Sequence, residues 1–250
     1  MNGVSRRSWS GPSVACARPP VHSALRRTIV PLIVASAAVL AFAPSLRAGF
    51  VDWDDTWLLV QNPHFRGFGR EQLTWMATTT HMGPYQPLSW FSYAIDHAVW
   101  GLDPFGFHLT NVLLHAATAA LFALVCARLF ARPALGGAAT PFARNAAAAL
   151  TALAWAVHPL RTESVAWVTE RRDVLSGVLF LASLLCWLTH VDRDGRERRA
   201  RADAAYWAAV ALFGASLLAK AAAMTWPAVL VLVDVILGRP GPLRARLRGA

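Results

Sequence analysis

Lysine is all but absent from this chain. Of 24 basic residues, Lys220 is the single lysine and the others are arginines. Charge as a whole is scarce. Charged residues make up 15% of the sequence, against about a quarter in a soluble domain. That deficit argues against an ordinary soluble fold, and the hydrophobic residues, 56% of the chain, are gathered into long blocks. Cysteine is rare too. Cys16, Cys126 and Cys186 form an odd set without paired spacing, which is neither a disulfide framework nor a zinc site. Cys126 and Cys186 lie inside apolar blocks and read as small apolar residues. No P-loop, GxGxxG, GxSxG or HExxH element is present, and His108 and His115 are too far apart for the last of these. No cofactor is called for. A divalent metal ion stays open, without any ligand spacing that demands one.

What is present is arginine placed between apolar blocks. A net charge of +10 on one face of a soluble fold would point to nucleic acid. Charge interleaved with apolar runs is instead how membrane topology is written. The expected partner is therefore a lipid bilayer and not nucleic acid. The expected fold is an all-α, polytopic helical membrane protein with about six spans and a long first outer loop, since ~20 apolar residues cross a bilayer.

The spans are expected at residues 28–46, 107–130, 144–157, 174–190, 204–218 and 224–237. Residues 1–27 read as a disordered basic cytoplasmic tail, residues 28–238 as the membrane domain, and residues 239–250 as a second basic cytoplasmic tail. The rival for the first run is a cleaved signal peptide, because Ala41-Phe42-Ala43 resembles a cleavage site. Pro44, directly after it, fits a peptidase poorly. With six spans the arginine-dense segments all fall on the cytoplasmic side, which obeys the positive-inside rule. The outer loop 48–105 and the polar connector around Glu163 then share the opposite face. Leu88, Phe91, Ile95 and Val99 recur at helical spacing within that loop, so 88–100 reads as an amphipathic helix on the membrane surface. The alternative is a buried helix of a small outer domain. His108, Asn111 and His115 share one side of the second span, where polar groups face a protein interior or water.

Four polar features gather at the outer face. Asp54 and Asp55 follow the first span between tryptophans. Neighbouring residues of an extended segment point apart, so one carboxylate can face a reacting centre while the other supports it. A carboxylate beside apolar rings has a raised pKa, which suits a general base; an acidic turn capping a helix is the alternative. Arg161, Arg171 and Arg172 lie in the polar connector with Glu163, Glu170 and Asp173. Guanidinium groups bind phosphate through paired hydrogen bonds; an interfacial ion-pair cluster is the alternative. Lys220 ends the fifth span in an uncharged stretch, a functional candidate unless it snorkels to the interface. His81, in a polar loop, can hydrogen-bond a sugar or an acceptor; a satisfied loop histidine is the alternative.

Several motifs occur in a fixed order: Phe50-Val51-Asp52-Trp53-Asp54-Asp55, then Tyr85-Gln86-Pro87-Leu88-Ser89-Trp90, then His108-Leu109-Thr110-Asn111-Val112-Leu113-Leu114-His115. The most specific is the run from His158-Pro159-Leu160-Arg161 through Thr169-Glu170-Arg171-Arg172-Asp173-Val174-Leu175-Ser176. Ala219-Lys220 and Thr225-Trp226-Pro227 follow. In these the chain resembles the membrane half of the transmembrane and tetratricopeptide-repeat O-mannosyltransferases and their bacterial relatives, within the wider GT-C glycosyltransferases. The resemblance implies a GT-C-like membrane domain and inverting transfer of a sugar from a polyprenyl-phosphate carrier to a protein hydroxyl. It implies catalysis at Asp54 and Asp55, donor-phosphate binding by Arg161, Arg171, Arg172 and Lys220, and support from His81, His158, Glu163, Glu170 and Asp173. The expected partners are a polyprenyl-phosphate-linked sugar and an acceptor protein, and the expected setting is a bacterial inner membrane with the active face extracytoplasmic. Arg172 stands where the family has lysine, and Ala221-Ala222 replaces bulkier residues. No 34-residue repeat is visible, so the chain is expected to be an N-terminal part of a longer protein. The competing readings are a non-catalytic membrane module and a transporter, the latter disfavoured by the motif order.

Overall fold

The computed structural model describes residues 21–132, 135, 137–192 and 198–236. The expected tail is outside the described residues as far as residue 20. The C-terminal tail and the basic loop at 193–197 are outside them as well.

The described chain is helical, without strands among the described residues, as expected of an all-α membrane protein. Helix α1 (Val21–Phe42) is followed by a 3-10 turn, Ala43–Arg47, that begins beside Pro44. The outer loop then carries a five-residue π-helical turn, Thr56–Val60, and two helices, α2 (Arg70–Thr78) and α3 (Pro87–Trp100). Gly101, at φ 63°, ends α3 in the left-handed region that glycine tolerates. Asp103 then accepts the Phe105 N–H at 3.0 Å and caps α4 (Pro104–Phe130). Thr140 caps α5 (Pro141–Ala156) in the same way, through the Ala143 N–H. The polar connector holds α6 (Arg161–Ala166) and a 3-10 turn, Val168–Glu170. Helix α7 (Arg171–Val191), helix α8 (Arg198–Ala219), a 3-10 turn (Ala221–Thr225) and α9 (Trp226–Ile236) complete the order.

One boundary differs from expectation. Helix α1 starts at Val21, seven positions before the expected span, because helical geometry continues through Arg26 and Arg27 although the apolar window begins at Thr28. Among the described residues, three segments are long and apolar enough to cross a membrane: Thr28–Arg47, Pro104–Phe130 and Val168–Val191. The other three expected spans are shorter. Helix α5 has 16 residues, about 24 Å at ~1.5 Å per residue, short of a ~30 Å hydrocarbon core. Ala204–Ala219 and Ala221–Val235 are apolar but similarly short.

Helix α4 is the centre of the bundle and packs against α1, α5 and α7. The α1–α4–α5 seam is made of small residues: Ala38 of α1, Ala116, Ala119 and Ala123 of α4, and Ala152 and Ala156 of α5. Small side chains let helix backbones approach closely where lipid removes the hydrophobic drive to associate. The α7–α8 seam adds hydrogen bonds. Ser176 Oγ lies 2.9 Å from Ser216 Oγ, and Ser183 donates to the Ala209 carbonyl at 2.7 Å.

The outer loop has a core of its own. Leu58, Leu59, Phe65, Met76, Trp90, Tyr93 and Ala94 pack with Phe107 at the head of α4 and with Val168. Trp75 and Trp90 therefore belong to packing, while Trp53 and Trp57 stay exposed at 69% and 59%. Helix α3 turns Trp90, Tyr93 and Ala94 inward and leaves Ile95 and Val99 of the expected apolar stripe exposed. The helix thus has two apolar faces, one packed and one free to meet lipid.

Candidate functional site

The 3-10 turn Val168–Glu170 is where the outer loop, α4, α7 and the end of α8 converge. Asn111, on the inward side of α4, holds this turn. Its amide N–H groups meet the carbonyls of Val165, Trp167 and Val168 at 3.2–3.4 Å. Tyr93 donates its hydroxyl to Val168 and Thr169 carbonyls at 3.2 and 3.1 Å. His108 and His115 are buried with Asn111 on the same side, as their spacing predicts. His115 Nε2 lies 2.8 Å from the Ala156 carbonyl and ties α4 to α5.

The two adjacent aspartates are treated differently. Asp55 is fully buried. One carboxylate oxygen accepts the Val51 N–H at 2.9 Å and the other the Thr169 N–H at 3.1 Å. Burial raises its carboxyl above the ordinary range, against the opposing pull of those N–H bonds and of the His108 ring. A carboxyl raised in the fold favours the protonated form. Its stabilising contribution is therefore present below the unfolded carboxylate range and is lost as pH rises through the folded value. The two N–H donors to Asp55 oppose that effect by favouring its ionised form. Asp54 is half-exposed and its side chain has no hydrogen-bond partner among the described residues.

Arg171 is the most heavily committed polar side chain. It is fully buried. Nε donates to Asn111 Oδ1 at 2.8 Å and Nη2 to the Phe107 carbonyl at 2.7 Å. Nη1 forms an ion pair with Asp96 and lies 3.4 Å from Ser92 oxygens. The guanidinium also sits 4.7 Å from the Tyr93 ring centroid. No N–H face is left toward solvent, so in this arrangement Arg171 is a strut that joins α3, α4 and α7. Its expected phosphate contact is not available there.

Its neighbours differ. Glu170 is buried and bridges two cations: Oε1 accepts from Arg172 Nε at 3.1 Å, and Oε2 from Lys220 Nζ at 3.2 Å. Lys220 also pairs with Asp173, whose other oxygen accepts the Ser164 hydroxyl at 2.9 Å. Arg172 and Lys220 keep 27% and 29% of their side chains exposed. Donor accounting shows what is spare. An arginine has five N–H groups and a lysine three. Arg172 uses Nε and Nη2 on Glu170, which leaves its Nη1 edge free. Lys220 uses two of its three N–H bonds on Glu170 and Asp173.

Of the residues singled out in the sequence, Asp55, Glu170, Arg172, Asp173 and Lys220 form a connected group through Thr169. The others do not join it by contact. Arg161 lies 5.3 Å over the Trp155 ring. His158 is exposed and accepts the Leu160 N–H at 3.2 Å, a turn contact. Glu163 is exposed near the start of α6. His81 lies in the α2–α3 loop with ring centroids 5.8 Å from Trp75 and 6.1 Å from Trp90. Asp96, Asn111 and Tyr93 were missed as site residues, although a carboxylate between Ile95 and His97 on an apolar helix is a signal for a buried partner. Among the described residues, no three His, Cys, Asp or Glu side chains gather as metal ligands.

No family model and no solved structure matches the chain. Curated relatives do. The chain is 38% identical to protein O-mannosyl-transferase TMTC2 of Mus musculus over 128 residues, which is 50% of this chain and 14% of the relative. It is 31% identical to Tmtc2 of Drosophila melanogaster over 96% of this chain and 25% of the relative. With TMTC4 of Homo sapiens it shares 30% identity over 73% of this chain and 26% of the relative. The chain thus spans about a quarter or less of the length of these relatives. Taken with the ordered motifs and the all-helical membrane fold, these similarities lead to one assignment: over the part it spans, the chain is a homologue of the TMTC family of protein O-mannosyl-transferases.

Proposed function

We propose that this membrane segment belongs to a glycosyltransferase that moves a mannose-type sugar from a polyprenyl-phosphate carrier to Ser or Thr hydroxyls of proteins at the extracytoplasmic face. The relatives' names support mannosyl transfer to protein. The observation that carries the rest is the path from Asp55 through the Thr169 N–H to Glu170, Arg172 and Lys220. It sets the acidic segment beside two cations that have spare N–H groups.

The division of labour follows from exposure. Asp54 takes the proton of the acceptor hydroxyl as its oxygen attacks the anomeric carbon. The carbon–oxygen bond to phosphate breaks from the opposite side, so the new glycosidic bond forms with inversion and the lipid phosphate leaves with the electron pair. Arg172 and Lys220 bind that phosphate and stabilise the charge it gains. Asp55 holds the Asp54 segment against the turn. Glu170 and Asp173 aim the two cations, and Arg171 supports them from beneath. The unit proposed for this work is the membrane domain with its outer loop, 48–105.

The test is transfer of radiolabelled sugar from a polyprenyl-phosphate donor to a Ser/Thr peptide by the full chain in membranes. Arg172→Gln combined with Lys220→Met is expected to raise the donor KM by roughly tenfold or more, since each charge-assisted contact contributes about 1.5–3 kcal/mol. Lys220→Arg, which keeps the charge, is expected to restore most of the affinity in the presence of Arg172. A donor KM unchanged in the double variant removes the phosphate assignment.

A further inference from the structure

At the start of α3 a buried group lacks partners. Gln86 is 3% exposed, yet its Oε1 has no hydrogen-bond partner among the described residues. The same holds for the Trp90 indole Nε1 and for His81 Nε2. An unpaired buried polar atom costs about 1–3 kcal/mol, so three near one another need an explanation.

Their surroundings are aromatic. The Trp75 and Trp90 centroids are 5.0 Å apart, His81 packs on both, and His64 stacks on Trp75 at 5.3 Å. The position is equally informative. Ser89, one helical turn after Gln86, donates its hydroxyl to the Ala219 carbonyl at 3.3 Å. Ala219 immediately precedes Lys220. The first turn of α3 thus packs against the end of α8, the residue before Lys220.

We propose that Gln86, with His81 and the Trp90 indole, forms a subsite for the hydroxyls of the sugar that the lipid phosphate carries; this rests on the phosphate reading above. The chemistry matches at each atom. A sugar hydroxyl both donates and accepts. It donates to the Gln86 amide oxygen and accepts from the indole N–H. The carbon-bound hydrogens of a pyranose give it an apolar face, which packs on an aromatic ring. A site built to pair a substrate hydroxyl rejects analogues that lack it, because its own polar atoms are then left unpaired.

Two probes separate this subsite from the phosphate site: a polyprenyl-phosphate sugar and the bare polyprenyl monophosphate. Binding of each to the full chain is measured by calorimetry in nanodiscs. Gln86→Met keeps side-chain length and removes the amide. It is expected to weaken the sugar-bearing probe roughly tenfold and to leave the bare phosphate within about twofold, a split that mere damage to packing does not produce. Equal weakening of both probes, loss of all binding, or no change in either overturns the subsite. The bare monophosphate with Arg172→Gln and Lys220→Met tests the underlying reading on its own. If that probe binds as before, the phosphate site falls. If it weakens while Gln86→Met shows no split, only the sugar subsite falls.

Discussion

Asp54→Asn is expected to abolish sugar transfer while the protein inserts and melts as before. A positioned general base contributes roughly 10²–10⁴-fold to a rate, and an amide cannot take the hydroxyl proton. The structure makes this substitution clean. Asp54 is half-exposed and holds nothing else in place, so its loss removes chemistry and not packing. Asp55→Asn is expected to differ. Each oxygen of Asp55 accepts a backbone N–H, and an amide nitrogen in either place would face a donor with a donor. That variant should lose activity together with thermal stability, as the outer loop loosens from the turn. The measurements are single-turnover transfer from a labelled donor and thermal unfolding in the same detergent. Transfer by Asp54→Asn at more than about a tenth of the parental rate would remove it as the base, since the loss expected of a base is at least a hundredfold.

Arg171→Met is expected to be the most destabilising single change in the described chain. It strips Asp96 of its cation inside the protein, and breaking a buried pair in this way costs about 3–5 kcal/mol. It also releases the Phe107 carbonyl and Asn111 Oδ1 from their hydrogen bonds. Because Asn111 holds the turn that presents Glu170 and Arg172, the phosphate group should lose its alignment as well. The expected readout is a marked fall in unfolding temperature and in the yield of folded protein. Adding Asp96→Leu should recover a substantial part of the loss, because the stranded charge then disappears. An Arg171→Met variant as stable as the parent would show that the guanidinium is not a strut.

The two arginines of the connector show how far one dimension reaches. Arg171 and Arg172 are adjacent, equally charged and embedded in the same motif, and sequence reading assigned both to phosphate. A helix turns about 100° per residue. At the first turn of α7 that rotation sends Arg171 into the centre of the bundle and Arg172 toward Glu170 and the half-exposed side. The aspartates repeat the case at the π-helical turn. The sequence set one carboxylate to act and one to support, and only the fold showed Asp55 to be the inward one. His108, Asn111 and His115 were legible because their spacing alone puts them on one side of a long helix. Asp96 was not, because the residue that neutralises it is 75 positions away.

By itself the sequence determined the helical membrane class, the ordered motifs and their family, and the inward polar side of α4. These rest on local composition and on helical periodicity, which need no knowledge of neighbours. Tertiary structure decided which of two adjacent like residues is buried. It also decided that, among the described residues, three segments reach the length of a membrane span, and that the first turn of α3 packs against the end of α8. Such outcomes depend on contacts between segments far apart in the chain, where burial and pairing set the energy of a charge more strongly than its identity does.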